Sequence, residues 1–331
     1  MNRRSLLQLA GGAAIAWPLP ALAQKGADLP LVAMLVPGNA ELARQRVEVV
    51  RAGIKEAGLV EGTHYSFAMR FAGGDFSRLP GLAKELDALK PRVFVASGAA
   101  VRTIHEELPN APLVFTSFAA DPIAFGLARS YTHPGGNATG NVMNAVGGEE
   151  SLTEKRFGFF KELVPNLTRL GMIGTATGLL SAAEQNALRK VAPKLGFELA
   201  PYLIKTLDDL GEAFSSGLRD GVGALYISGD SVLYNNMARV MQLAATAGKP
   251  TVGTYPEWAR AGLLMAYSAD LMDDFRRAGI YAAKIIQGAS PGDLPIEQAS
   301  KFTLAVNVKT AKQLGISVPP TLLTLADEVI E

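Results

Sequence analysis

The stretch Leu31-Val32-Ala33-Met34-Leu35-Val36-Pro37-Gly38-Asn39 decides the fold, because its form returns at Leu170-Gly171-Met172-Ile173-Gly174-Thr175-Ala176-Thr177. Each is an apolar run, the pattern of a strand buried on both faces, broken by small and polar residues. After the first, Ala43, Val47, Val50, Ile54 and Ala57 recur at three- and four-residue spacing until Gly58, which predicts an amphipathic helix. After the second, 181–195 reads as a helix stopped by Gly196.

Both copies continue alike. In the first, a helix over 79–89 leads to the strand Val93-Phe94-Val95-Ala96 and its end at Ser97-Gly98; a helix over 101–108 leads to Leu113-Val114-Phe115. In the second, Ala224-Leu225-Tyr226-Ile227 ends at Ser228-Gly229-Asp230, and a helix over 237–247 leads to Lys249-Pro250-Thr251-Val252, the counterpart of Ala111-Pro112-Leu113-Val114. Leu31 with Leu170, Gly98 with Gly229 and Pro112 with Pro250 keep a nearly constant offset. Strands alternating with helices form parallel, doubly wound sheets. The expectation is an α/β protein of two similar doubly wound parallel-sheet lobes.

The strands of both copies end in small or polar residues: Asn39, Ser97, Thr116-Ser117, Thr177, Ser228 with Asp230, and Thr254. Ligands of open α/β sheets sit outside the carboxyl ends of the strands. Helix N-termini there also offer free N–H groups to an anion. Any one of these loops taken alone reads first as an ordinary turn or cap. Six of them converging on one cleft read as a binding site.

Composition narrows the function. The 331 residues are 48% hydrophobic, enough for about two domains with proper cores. Lys+Arg 32 against Asp+Glu 31 leaves no electrostatic footprint for nucleic acid. Cys 0 removes disulfides, thiolate metal sites, cysteine nucleophiles and lipobox attachment, and His64, His105 and His133 are too scattered for a local metal motif. No dinucleotide fingerprint, P-loop or nucleophile elbow is present, so no cofactor or metal is expected.

The N-terminus gives an address. Arg3-Arg4 precede a short apolar stretch over 6–17, then Pro18, Pro20 and Ala21-Leu22-Ala23. A basic start, a short apolar core and an A-x-A end form a secretory signal over 1–23, cleaved after Ala23. Paired arginines also suit the twin-arginine route. No later apolar run approaches the ~20 residues of a membrane span, so a periplasmic protein is expected, without stable membrane insertion after cleavage.

Several segments closely resemble the substrate-binding proteins of ABC transporters, in the family that includes tryptophan-binding proteins. They are Ala120-Asp121-Pro122-Ile123, Pro134-Gly135-Gly136-Asn137-Ala138-Thr139-Gly140, Lys161-Glu162-Leu163-Val164-Pro165, Gly292-Asp293-Leu294-Pro295, Asn307-Val308-Lys309-Thr310-Ala311 and Ala326-Asp327-Glu328-Val329-Ile330. The resemblance implies a type I periplasmic-binding fold with a three-crossover hinge near 141–144, 255–263 and 298–302. It divides the chain into lobe 1 (29–143 plus 262–297) and lobe 2 (144–261 plus 298–331). It further implies a monomeric receptor, not an enzyme, that closes on a small-molecule ligand and delivers it to a permease served by a separate ATPase. Ala120 and Gly174-Thr175-Ala176-Thr177 depart from the family pattern, which loosens ligand identity to an amino acid or other small carboxylate.

The candidate ligand-binding residues are Asn39, Ser97, Thr116, Ser117 and Asp121 from the first lobe, Thr177, Ser228 and Asp230 from the second, and Tyr255 and Ser268 by the crossovers. Asp121 and Asp230 each suit a ligand ammonium or a helix cap. Tyr255 suits an aromatic wall or hinge packing. Two alternatives stand beside the receptor: a sensor subunit signalling to a membrane receptor, and an extracytoplasmic hydrolase that would depend on His133.

Overall fold

The apolar run that opens the chain becomes β1 (Leu31–Val36), buried along nearly its whole length. The structure, a computed structural model, describes residues 29–144 and 148–331. The expected export signal at 1–23 lies outside the described residues. From β1 the chain runs through α1 (Ala40–Glu56), β2 (Ser66–Phe71), α2 (Leu79–Asp87), β3 (Val93–Ser97), α3 (Ala99–Glu107), β4 (Leu113–Phe118) and β5 (Ala138–Val142).

It then crosses to a second set: α4 (Gly148–Leu163), β6 (Arg169–Thr175), α5 (Leu179–Lys194), β7 (Glu198–Ile204), α6 (Leu210–Arg219) and β8 (Ala224–Ile227). These are followed by α7 (Ser231–Asn235), α8 (Met237–Ala247), β9 (Thr251–Gly253), α9 (Pro256–Arg260) and β10 (Met265–Ala269). The chain returns to the first set for α10 (Leu271–Ile286) and β11 (Glu297–Gln298). It finishes in the second with β12 (Phe302–Asn307), α11 (Val308–Gln313), α12 (Pro320–Leu325) and β13 (Glu328–Ile330).

Two sheets result, ordered β2-β1-β3-β4-β5-β11 and β7-β6-β8-β9-β10-β12-β13. The first five strands of each share one order, so the duplication in the sequence is a duplication in space. Every pairing is parallel except β10 with β12. Parallel sheets need both faces covered. In the first lobe Phe94, Phe115, Leu86 and Ile104 fill one face, and Val50, Ile54, Phe275 and Ala282 fill the other.

The second face of that lobe depends on a helix supplied late in the sequence. α10 crosses α1 at two glycines, and a methyl group added to Gly53 or Gly279 would overlap a backbone carbonyl of the facing helix. That contact lets Phe275 and Tyr281 reach the same core as Val47 and Val50.

The return point corrects the expected lobe boundary. β10 pairs with β9 and with β12, so 262–269 stays in the second lobe, and the chain crosses back only at Asp270. Met265–Ala269 is wholly buried between two neighbours, which is where an apolar strand is held most firmly. Asp270 caps α10 by accepting from the N–H groups of Met272 and Asp273 at 2.9 and 3.1 Å. Tyr255 therefore sits at the end of β9, inside the second lobe, and not at a crossover.

Candidate functional site

The carboxyl ends of β1, β3 and β4 face those of β6, β8 and β9 across a cavity of about 240 Å³. An apolar cavity of about 150 Å³ already accepts benzene, so there is room for one ring and a short chain. The lobes touch around it. The α-carbon of Gly38 lies against the Asn235 side chain, and Gly98 lies against the Ser231 hydroxyl. Above them the Arg46 guanidinium of α1 stacks over the Tyr234 ring of α7, 4.4 Å from its centre.

Ser97, Ser117, Thr177, Asp230 and Tyr255 line this cavity together. The remaining sequence candidates lie elsewhere. Thr116 is buried in the sheet and donates to the Asn141 amide oxygen at 3.2 Å. Ser228 is buried against the Ser181 hydroxyl at 2.8 Å, and Ser268 donates to the Ala269 carbonyl at 3.0 Å. Asp121 is exposed and accepts from the Ile123 N–H at 2.9 Å, the turn-capping role that the following Pro122 allows. Asn39 is exposed just before α1. His133 is an exposed loop residue that does not line the cavity.

Residues that the strand-end rule does not reach also line the cavity: Arg46 on α1, Arg102 on α3, Phe76, Tyr234 and Asn235 on α7, and Phe275 on α10. One signal could have found Arg46. It interrupts the apolar stripe of Ala43, Val47 and Val50, and a cation there needs a reason.

The whole described fold matches a known family. The model of the ABC transporter substrate binding protein family matches residues 32–330. The chain belongs to that family. A tyrosine-binding protein of Clostridioides difficile (strain R20291) is 22% identical over 264 residues, covering 80% of this chain and 74% of the relative. A conserved domain protein from Vibrio cholerae superposes with a TM-score of 0.83 at 22% identity, covering 91% of this chain and 99% of that one. An ABC domain from Streptococcus pneumonia in complex with L-Trp gives the same TM-score at 20% identity, over 91% of this chain and 100% of the other. The chain is thus a substrate-binding protein with the type I periplasmic-binding fold, of a family that captures small molecules outside the cytoplasm for ABC import.

In this substrate-binding protein the cavity loops are held from behind. Tyr255 donates to the Gly229 carbonyl at 2.7 Å and stands edge-on to Tyr234, so it is both cavity wall and packing partner. Asp230 caps α7 through the Val232 N–H at 2.9 Å, and its other oxygen packs over Gly178, where a Cβ would collide with it. Burial raises its carboxyl above the usual range, opposed by bonds from Val232 and the Thr175 hydroxyl. The N-termini of α3 and α5 begin at Gly98 and Gly178 with no side-chain cap, which leaves N–H donors beside the cavity.

Proposed function

We propose that the chain is a monomeric periplasmic receptor for an amino acid or another small carboxylate, exported by its N-terminal signal, cleaved after Ala23, and docking on a permease with a separate ATPase. It binds without chemistry. The observation that carries the reading is the cavity into which both sets of strand ends turn small polar groups, walled by apolar and aromatic side chains. Pockets of that make-up fix a ligand's polar end and bury its body. Ser97 and Ser117 from the first lobe and Thr177, Asp230 and Tyr255 from the second are the proposed contacts. The relatives' tyrosine and L-Trp support a ligand with a ring and a carboxylate. A ligand touching both lobes favours the closed form by its extra contacts there.

Thermal unfolding of ligand-stripped protein against amino acids, organic acids and sugars tests this. A ligand at 100 times its Kd adds about 2.7 kcal/mol, a rise of roughly 5–10 °C. Shifts from carboxylates or amino acids are the expected result. Shifts from sugars alone would overturn the ligand class.

A further inference from the structure

We propose that the cavity selects an organic anion, an aryl- or alkyl-alkanoate without a compensating ammonium, over a zwitterionic amino acid, and that Arg46 is the residue that holds its carboxylate. This rests on the cavity being the ligand site.

The charges around the cavity carry the inference. Arg46 and Arg102 line it, and among the described residues neither forms an ion pair. Arg46 is half-buried, between the rings of Tyr234 at 4.4 Å and Phe275 at 5.4 Å. The aromatic faces and the Tyr234 hydroxyl, to which Arg46 donates, are uncharged and compensate the cation only in part, which leaves the rest of its five-donor fork for a carboxylate. A half-buried guanidinium without an anion is costly, and a ligand carboxylate removes that cost.

A zwitterion's ammonium, entering beside cations, is stabilised most by a carboxylate that is free to accept from it. Asp230 is the one acid among the described lining residues. Its two oxygens are turned to the protein, one to the Val232 N–H and the other over Gly178 beside Thr175. Asp121, the other sequence candidate, does not line the cavity. An ammonium would therefore enter a site with two cations and two uncapped helix N-termini, which repel it. The same groups attract a carboxylate. Arg46 belongs to the first lobe and Tyr234 to the second, so an anion bound at Arg46 sits on the seam that closure seals.

Matched ligands on the unaltered protein decide it. Titration calorimetry would compare 3-phenylpropanoate with L-phenylalanine and 3-phenylpropanamide, then 4-methylpentanoate with L-leucine. In each series the anion is expected to bind at least tenfold tighter than its partners, and less tightly as salt is added. Arg46→Gln should cost the anion at least tenfold and leave the amide within about twofold. Arg102→Gln, on an exposed side chain that a fold tolerates, should cost the anion a smaller factor in the same direction. Equal or tighter binding of either amino acid would overturn the inference and leave the receptor reading standing. Binding of neither series, with shifts from sugars alone, would overturn both.

Discussion

The two lobes share one strand order but support their halves of the cavity by different means. Behind the second lobe's loops lies a buried ionic cluster. Arg156 donates to the Tyr267 carbonyl at 2.8 Å, the Tyr226 hydroxyl at 3.1 Å and Glu149 at 3.4 Å. Glu184 accepts from the hydroxyls of Tyr226 at 2.5 Å and Thr254 at 2.9 Å, and from the N–H of the cavity residue Gly229 at 3.3 Å. Behind the first lobe's loop lies an amide-centred network. The Asn141 amide oxygen accepts from the Ser117 N–H at 2.8 Å, its nitrogen donates to the Asp274 carbonyl at 2.8 Å, and Ser117 donates its hydroxyl to the Asp274 carboxylate at 3.0 Å.

The chemistry of each network, and the cavity residue it holds, is what separates them. Each joins elements of a single lobe, the ionic cluster running from α4 to β10 and the amide network from β4 to α10. The amide network ties β5, just before the first crossover, to α10, just after the second, and it does so through the cavity residue Ser117. The second lobe's cavity loop is thus held by the charge cluster through the Gly229 N–H. In the first lobe, Ser117 is held by Asn141 and Asp274, which flank the first and second crossovers.

The largest expected difference comes from the cations. Arg156→Met leaves Glu149 and Glu184 buried without a positive partner, and breaking such a pair costs roughly 3–5 kcal/mol. Chemical denaturation should show that loss. A loss below 1 kcal/mol would mean that the cluster is held by its hydroxyls and not by charge. Asn141→Ala strands the Ser117 N–H and the Asp274 carbonyl, for a smaller loss of about 1–3 kcal/mol. Its effect on ligand affinity should exceed that of Arg156→Met, because Asn141 bonds the cavity residue Ser117 directly.

Titration separates the lobes again. Burial pushes the carboxyls of Glu184 and Asp274 up to about 7. Each therefore holds its proton more tightly when folded than when unfolded, where carboxyls titrate near ~4. Their contribution to stability is complete below about 4 and is lost as pH rises through about 7. Unfolding free energy measured across that window should decline for this reason. Asp274→Asn should remove the part of the decline that Asp274 contributes and Glu184→Gln the part that Glu184 contributes, while Glu149 and Asp230, also raised by burial, keep a remainder in the second lobe. A decline unchanged in both variants would place its source elsewhere. Asp274→Asn also keeps an acceptor for the Ser117 hydroxyl and removes the buried charge, so above pH 7 it should be more stable than the parent.

What the sequence made legible follows from what each feature encodes. Central strands such as β1 and β8 are buried on both faces and read as apolar runs. The edge strands β2 and β7 are half-buried, with Arg70 and Pro201 among their residues, and no periodicity betrays them. Ser97, Ser117, Thr177 and Asp230 were legible because they end strands, and the carboxyl edge of a parallel sheet is where ligands sit. Thr116, Ser228 and Ser268 lie one pleat away from the cavity or beneath a loop, and only three-dimensional register separates them from their neighbours. Arg46 and Tyr234 lie on helices and meet because the lobes do. The second crossover moved to Asp270 because β10 finds its partners in β9 and β12, a pairing set by contacts distant in sequence.

The smallest expected effect is the most specific test of the first lobe's network. Ser117 has a φ of 47°, in the left-handed region that L-residues with a side chain seldom adopt, where β4 loses register against β5. Asn141 and Asp274 hold it there, at a cost of roughly 1–2 kcal/mol to the backbone. Ser117→Gly removes that cost and also removes one hydrogen bond to Asp274, worth about 1 kcal/mol. Stability should stay within about 1 kcal/mol of the parent. Affinity should still fall, because a glycine no longer needs the network to choose its conformation and the hydroxyl is gone from the cavity. Ser117→Ala loses the same hydroxyl but keeps the strain, so it should be the less stable of the two. A Ser117→Ala variant as stable as Ser117→Gly would show that the left-handed turn costs nothing, and that β4 reaches the cavity without being forced.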